Sequence, residues 1–321
     1  MTERTDARIE VLLITYNHEH YVRRALDGIS VQVIDEPIRL VVADDKSTDG
    51  TMNIVREFAA AHPQIEVRYL DNTKNHGVTR NYQRAFAACT GSYVAVLEGD
   101  DYWISPHKLA RQRDFLDVRL ECDLCSVNYY VFEEDRSMFT PRWQPGEGHM
   151  LLGARQLIAD NVVGNFSTCM YRTSALRRLP PAVYDHKSYD WIINILLAQT
   201  SMIGFLHEPM SVYRIHGDGV WSLLSQVEKL KVQRELIPCY NDLTGRVFEA
   251  EFGELDRRLA HVIDDASSQP SSTPAMSVLG MNEARLRIRD WLPPFMLPFA
   301  KAIVPVAVKR MIHRLRTGGT R

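Results

Sequence analysis

Most of the signals that readily assign a function are missing from this chain. Charge carries no bias: 38 Lys and Arg against 40 Asp and Glu leave a formal net charge of −2. That excludes the broad electropositive footprint of a nucleic-acid-binding protein. Cysteine is scarce and odd in number (Cys89, Cys122, Cys125, Cys169, Cys239). Set in apolar segments, these residues read as reduced, buried thiols of a cytosolic protein rather than a disulfide framework. Cys122 and Cys125 form a lone Cys-x-x-Cys with no second pair, so packing outweighs zinc or redox chemistry there. Met1 to Arg8 is polar and has no signal-peptide apolar region. No internal repeat, no Walker lysine loop and no Gly-x-Gly-x-x-Gly after the first strand pattern is present. Gly146-Glu147-Gly148 is only a fragment of such a loop.

What is present is 321 residues, 45% hydrophobic and 24% charged, enough for one large globular domain and an extension. From residue 9 to 133, strand and helix patterns alternate. Ile9 to Ile14 reads as a strand, and a helix follows through Val22, Ala25, Leu26 and Ile29. Leu40 to Ala43, a helix through Ile54, Val55 and Phe58, and the strand Ile65 to Leu70 come next. A helix with Tyr82, Ala85 and Phe86 on one face leads into the strand Tyr93 to Leu97. This alternation predicts a mainly parallel sheet covered by helices on both faces. Residues 134–165, with Pro141, Trp143, Pro145 and Gly146, read as a long functional loop. Residues 166–225 resume with mixed strands and a helix at Trp191 to Ala198, and 226–264 read as a helical extension. Residues 265–280 are a linker by composition, and 281–321 are apolar, then basic.

Short connections place four polar clusters on one sheet edge, where open α/β sheets bind ligands. Thr15-Tyr16-Asn17 offers backbone groups and an aromatic face to a base. Asp45, within Asp44 to Thr51, can accept from a uracil N–H or a ribose hydroxyl. Arg80, at a helix start after His76-Gly77, can reach toward phosphates. Glu98-Gly99-Asp100-Asp101 ends a buried strand in adjacent acids that repel each other. A divalent ion shared with a phosphate relieves that repulsion; an acidic turn before the helix at Ser105-Pro106 is the plainer reading.

In this order and spacing the set resembles the inverting family 2 glycosyltransferases of the GT-A fold. The carriers are Leu13-Ile14-Thr15-Tyr16-Asn17, Asp45-x-Ser47-x-Asp49-Gly50-Thr51, Gly99-Asp100-Asp101, Tyr189-Asp190-Trp191 and Tyr213-Arg214-Ile215-His216. The match spans roughly residues 9–225, so the catalytic domain is expected over 1–225, with a nucleotide-sugar part at 9–133 and an acceptor part at 134–225. The resemblance implies transfer of a sugar from a nucleotide diphosphate, most often UDP, to a hydroxyl of a glycan or lipid-linked acceptor. It further implies a divalent cofactor (Mn²⁺ or Mg²⁺) bound directly by Asp101, with Asp100 on the ribose or a metal-bound water. Asp190 is the implied base, with an N-cap of the following helix as the alternative. His216 is expected on the metal or a phosphate. Arg214, Trp191 and Trp221 are expected at the acceptor or in a closing lid, with plain packing as the alternative for Trp221. Glu98 stands where the family often has Asp, and its role is left open.

Two other functions compete: a non-catalytic sugar-nucleotide or glycan-binding subunit of a larger synthase, and a nucleotidylyltransferase. The second normally shows a basic Gly-rich phosphate loop where this chain has Thr15 to Glu19. The tail from Trp291 to Arg316 is too short, charged and proline-broken to span a bilayer. Its apolar-then-basic order suits the inner face of an anionic membrane; packing on the domain or a homodimer contact is the alternative.

Overall fold

The computed structural model describes residues 8–186, 190–217 and 224–268. Trp221 and the apolar-then-basic tail therefore lie outside the described residues.

The chain runs β1 (Ile9–Thr15), α1 (Val22–Ser30), β2 (Ile38–Asp44), α2 (Thr51–Ala61), β3 (Glu66–Tyr69), α3 (Val78–Ala88) and β4 (Tyr93–Glu98). Then come β5 (Tyr102–Trp103), α4 (Lys108–Val118), β6 (Cys122–Glu133), β7 (Met138–Pro141), β8 (His149–Leu152), α5 (Ala154–Ala159), β9 (Met170–Arg172) and α6 (Thr173–Leu176). Finally α7 (Asp190–Ala198), β10 (Met202–Ile215), α8 (Gln226–Leu243) and α9 (Glu249–Ser268) follow. Among the described residues ten strands form one sheet, ordered β3-β2-β1-β4-β9-β6-β10-β5, with β7 beside β6 and β8 beside β10.

The first four strands are parallel, and their alternation explains why. Leu12, Ile14, Val41, Ala43, Val94 and Val96 face one core, with Tyr82 and Phe86 of α3 and the apolar side chains of α7. Val11, Leu13, Leu40, Val42, Ala95 and Leu97 face the other, under α1, α2 and α4. A strand buried on both faces reads as a continuous apolar run, as these do. The register pairs Thr15 with Asp44 and Ile14 with Glu98. Three strand ends thus finish level, and their loops share one edge.

Beyond β4 the sheet becomes mixed. β9 runs antiparallel to both β4 and β6, while β10 pairs parallel with β6 through register shifts around Pro209. Residues 134–165 are not the long loop expected from their proline and glycine content. They hold β7, β8 and α5, each of four to six residues and so too short for a periodic pattern to emerge. Helices α8 and α9 complete the α7 side of the core through Leu230, Ile237, Tyr240, Phe252, Leu255 and Leu259. Ser225 opens α8 with a capping box to Glu228, which satisfies the first-turn N–H groups. Among the described residues no helix is long and apolar enough to cross a membrane.

Candidate active site

The loops after β1 and β2 are laced together. Asn17 sits at φ 55°, a left-handed conformation that Asn tolerates. Its N–H donates to Ser47 Oγ at 2.8 Å, and its Oδ1 accepts from Thr48 N at 2.8 Å. His18 N donates to Thr51 Oγ1 and Glu19 N to Asp49 Oδ2, while Gly50 N donates back to Glu19. Ser47, Asp49 and Thr51 are therefore loop clamps, and Tyr16 is left 46% exposed above them. Thr15 is buried, its hydroxyl 3.3 Å from His18 Nδ1.

Asp45 departs from its expected role. Its two carboxylate oxygens accept the backbone N–H groups of His76 (2.7 Å) and Gly77 (2.9 Å), and its side chain is nearly closed off. It secures the loop that opens α3, and only remaining lone pairs face any ligand. Arg80 departs further: it pairs with Asp185 at 2.5 Å and with Gln83, away from the phosphate position assigned to it.

The four residues after β4 divide by burial. Gly99 must be glycine because a Cβ would stand 2.7 Å from His18 Nδ1 and 2.8 Å from Thr15 Oγ1. Asp101 is 1% exposed, and both its oxygens are taken, Oδ2 by Ser167 Oγ (2.6 Å) and Oδ1 by Arg214 N (2.9 Å). A carboxylate so enclosed ties β4 to β10, and an ion expected on it would have to share oxygens that Ser167 and Arg214 already engage. Asp100 is the carboxylate that opens outward. Its Oδ2 lies 3.2 Å from His216 Nε2 and 3.7 Å from His18 Nε2. Burial alone would raise its pKa, but the His216 hydrogen bond and the charges of both imidazoles outweigh that and hold it below the usual value. Asp101 shifts the other way, well up, through burial and the neighbouring Asp100 and Glu98 charges.

Glu98 accepts from Tyr82 Oη at 2.8 Å. Burial and then the charges of Asp100 and Asp190 push it up to about 8, against the Tyr82 hydrogen bond. Glu98 thus lies within electrostatic reach of both aspartates. Asp190 itself is half-buried, and burial raises it to about 6 while Asn161 and the first N–H groups of α7 oppose the rise.

Two further expectations are corrected by packing. Trp191 is buried, donates Nε1–H to Leu157 O at 2.6 Å and meets Tyr240 edge-on, so it is core rather than acceptor wall. Arg214 is also buried, with Nε on Asp100 O, Nη1 on Glu134 and its guanidinium over Tyr21, Tyr102 and Phe132. It is a hub of the sheet end, not a lid residue. His216 is buried against the Tyr21 ring at 4.2 Å. Sequence reasoning missed His18, Ser167 and Tyr82. His18 was legible only as one of eleven scattered histidines, because its partner Asp100 is far along the chain.

Behind Ser167 lies a fully buried amine. Lys108 Nζ donates to Gln112 Oε1 at 2.8 Å over the Trp103 ring, and Trp103 Nε1–H donates to Ser167 O. Burial lowers Lys108 to about 7, with only the neighbouring Cys169 and Cys125 thiols working against it. Between pH 7 and 10.5 the unfolded chain holds this proton and the folded chain does not. Stability should therefore rise with pH across that window, by at most about 1.4 kcal/mol per pH unit. Urea melts of Lys108→Met should lack that slope relative to the native chain; parallel pH profiles for the two would show that Lys108 stays charged when folded.

Comparison with known proteins identifies the family and the fold. The family model described as glycosyl transferase family 2 matches residues 10–179. An uncharacterized protein of Mycobacterium tuberculosis is 35% identical over 213 residues, 66% of this chain and 60% of that protein. The chain thus spans 60% of the length of that relative. A Nostoc protein described as an uncharacterized glycosyltransferase is 27% identical over 220 residues, 65% of each chain. Among solved structures, residues 1–349 of Staphylococcus aureus TarS with UDP superpose with a TM-score of 0.58 at 18% identity, over 83% of this chain and 76% of that one. The mannosyltransferase PcManGT of Pyrobaculum calidifontis, in complex with GDP-Man and Mn²⁺, gives a TM-score of 0.53 at 18% identity, over 86% and 79%. At such identity these two report the fold alone, a mixed sheet flanked by helices of the GT-A type.

Proposed function

Since the chain belongs to glycosyl transferase family 2, we propose that it moves a sugar from a nucleoside-diphosphate sugar to an acceptor hydroxyl with inversion, using Asp190 as base. One observation supports this above the others: the ends of β1, β2 and β4 finish level on one sheet edge, where the Asp100 carboxylate opens between His216 and His18. In-line displacement needs a leaving diphosphate that is neutralised, a hydroxyl that loses its proton and alignment of the two. It needs no second carboxylate as covalent nucleophile.

Asp100 with His216 is the donor set that suits a divalent ion. The Asp100 carboxylate suits Mn²⁺ or Mg²⁺, and the His216 imidazole, now hydrogen-bonded to it at 3.2 Å, would either exchange that contact for Mn²⁺ or orient the carboxylate toward the ion. Among the described residues no group of three or more His, Cys, Asp or Glu could hold a metal ion, so diphosphate oxygens would have to complete the coordination. Bound there, the ion would act as a Lewis acid on the leaving diphosphate. The exposed Tyr16 ring offers the nucleobase a stacking face, and the laced loops beneath hold that face in place. TarS was solved with UDP and with UDP-GlcNAc and PcManGT with GDP-Man, which supports a nucleotide-sugar donor here and leaves the base open. We assign the acceptor to the glycan or lipid-linked class.

Thermal shift with UDP, dTDP and GDP, each with Mn²⁺ and with EDTA, tests the reading. One diphosphate should stand out with metal; at 100 times its dissociation constant the gain is about 2.7 kcal/mol. No response to any diphosphate would overturn the donor assignment, and an undiminished response in EDTA would remove the metal.

A further inference from the structure

Asn161 lies between α5 and β9, and its side-chain amide makes two directed contacts. Oδ1 accepts from Gly164 N at 3.2 Å, and Nδ2 donates to Asp190 Oδ2 at 3.2 Å. The first contact decides the second. With its oxygen committed to an N–H, the amide can offer only its NH₂ group to the carboxylate.

The turn that holds this amide is built for the purpose. Val162 N bonds Asp160 O at 2.8 Å, closing the turn, and Arg142 Nη2 donates to the Asn161 carbonyl at 3.2 Å. Gly164 sits at φ +87°, and a Cβ there would fall 2.0 Å from Tyr129 Oη. Only glycine fits both the backbone angle and the buried Tyr129 wall. The position of Asn161 is therefore set by β6, not by Asp190 alone.

We propose that Asn161 is the positioning residue of the base: by donating to Oδ2 it fixes the rotation of the Asp190 carboxylate, favours its ionised form and leaves Oδ1 to take the proton of the incoming hydroxyl. This rests on the reading of Asp190 as base. The surroundings make the donor matter. Among the described residues, the titratable side chains that the Asp190 charge raises are Glu98 at the end of β4, Tyr129 on β6, Cys169, and Tyr171 on β9. None of these is a cation. Stabilisation of the ionised form comes from Asn161 and from the N–H groups that open α7.

The test is a pH titration of the protein labelled with ¹³C in aspartate carboxyls, with Asp190→Asn identifying the Asp190 resonance by its loss. Asn161→Ala should move the Asp190 midpoint up by about one pH unit, a tenfold loss of ionised base at fixed pH below it. Asn161→Asp, nearly the same shape but an acceptor with like charge, should move it further, and it keeps the test alive if the alanine variant does not fold. Nucleotide stabilisation with UDP and Mn²⁺ should stay within about threefold of the native affinity in both variants. An unmoved midpoint in both variants overturns the positioning role while leaving the base reading intact. Undiminished transfer by Asp190→Asn overturns the base reading and leaves the titration result standing, so the two failures are told apart.

Discussion

Asp190→Asn is expected to leave a folded protein that binds donor and does not transfer. Asn can still accept from Asn161 and still sit at the head of α7, so the local structure loses little. What disappears is basicity, and loss of a general base costs on the order of 10²–10⁴ in rate. The native chain should gain turnover as pH rises through about 6, where Asp190 gives up its proton. Measured turnover within tenfold of the native chain would send the search for the base elsewhere, and a variant that fails to fold would show that the carboxylate charge itself holds the head of α7.

The two adjacent aspartates should fail in opposite ways. Asp100→Asn should remove metal-supported nucleotide stabilisation with little change in the urea midpoint, because its carboxylate faces the imidazoles and solvent. Asp101→Ala should leave Ser167 Oγ and the Arg214 N–H buried without their acceptor, at a loss of about 3 kcal/mol. Urea unfolding beside a nucleotide thermal shift separates them. If Asp101→Ala proved stable yet blind to metal, the ion would belong on Asp101 as the family resemblance implied.

That inversion shows where sequence reading reaches and where it stops. Strands β1, β2 and β4 were legible because both faces of each are buried and the apolar runs record that directly, while the edge strand β3 was legible only from its place in the alternation of strands and helices. The common edge was legible too, since short turns leave the chain no other course. Which of two neighbouring aspartates points outward was not. Asp101 is turned inward by partners 66 and 113 residues away, and no local pattern encodes them. Trp191 looked like an acceptor or lid residue for the same reason: its partners Leu157 and Tyr240 come from other parts of the chain. The edge strands β7 and β8 escaped because four residues are too few to show alternation.

The pairing of β10 with β6 also bears on the order in which the molecule assembles. β1, β2 and β3 join neighbours in sequence, whereas β4 must return past two strands to meet β1 and β10 must return across the stretch from β7 to α7 to meet β6. Long-range closure of that kind comes late and slowly. Yet β10 carries Arg214, whose N–H locks Asp101, and leads into His216, which meets Asp100. A half-folded chain would therefore own the nucleobase platform but not the diphosphate end. Tight donor binding would then be acquired only in the last step of folding, and a fragment ending before β10 should make a poor nucleotide trap, however well its first four strands form.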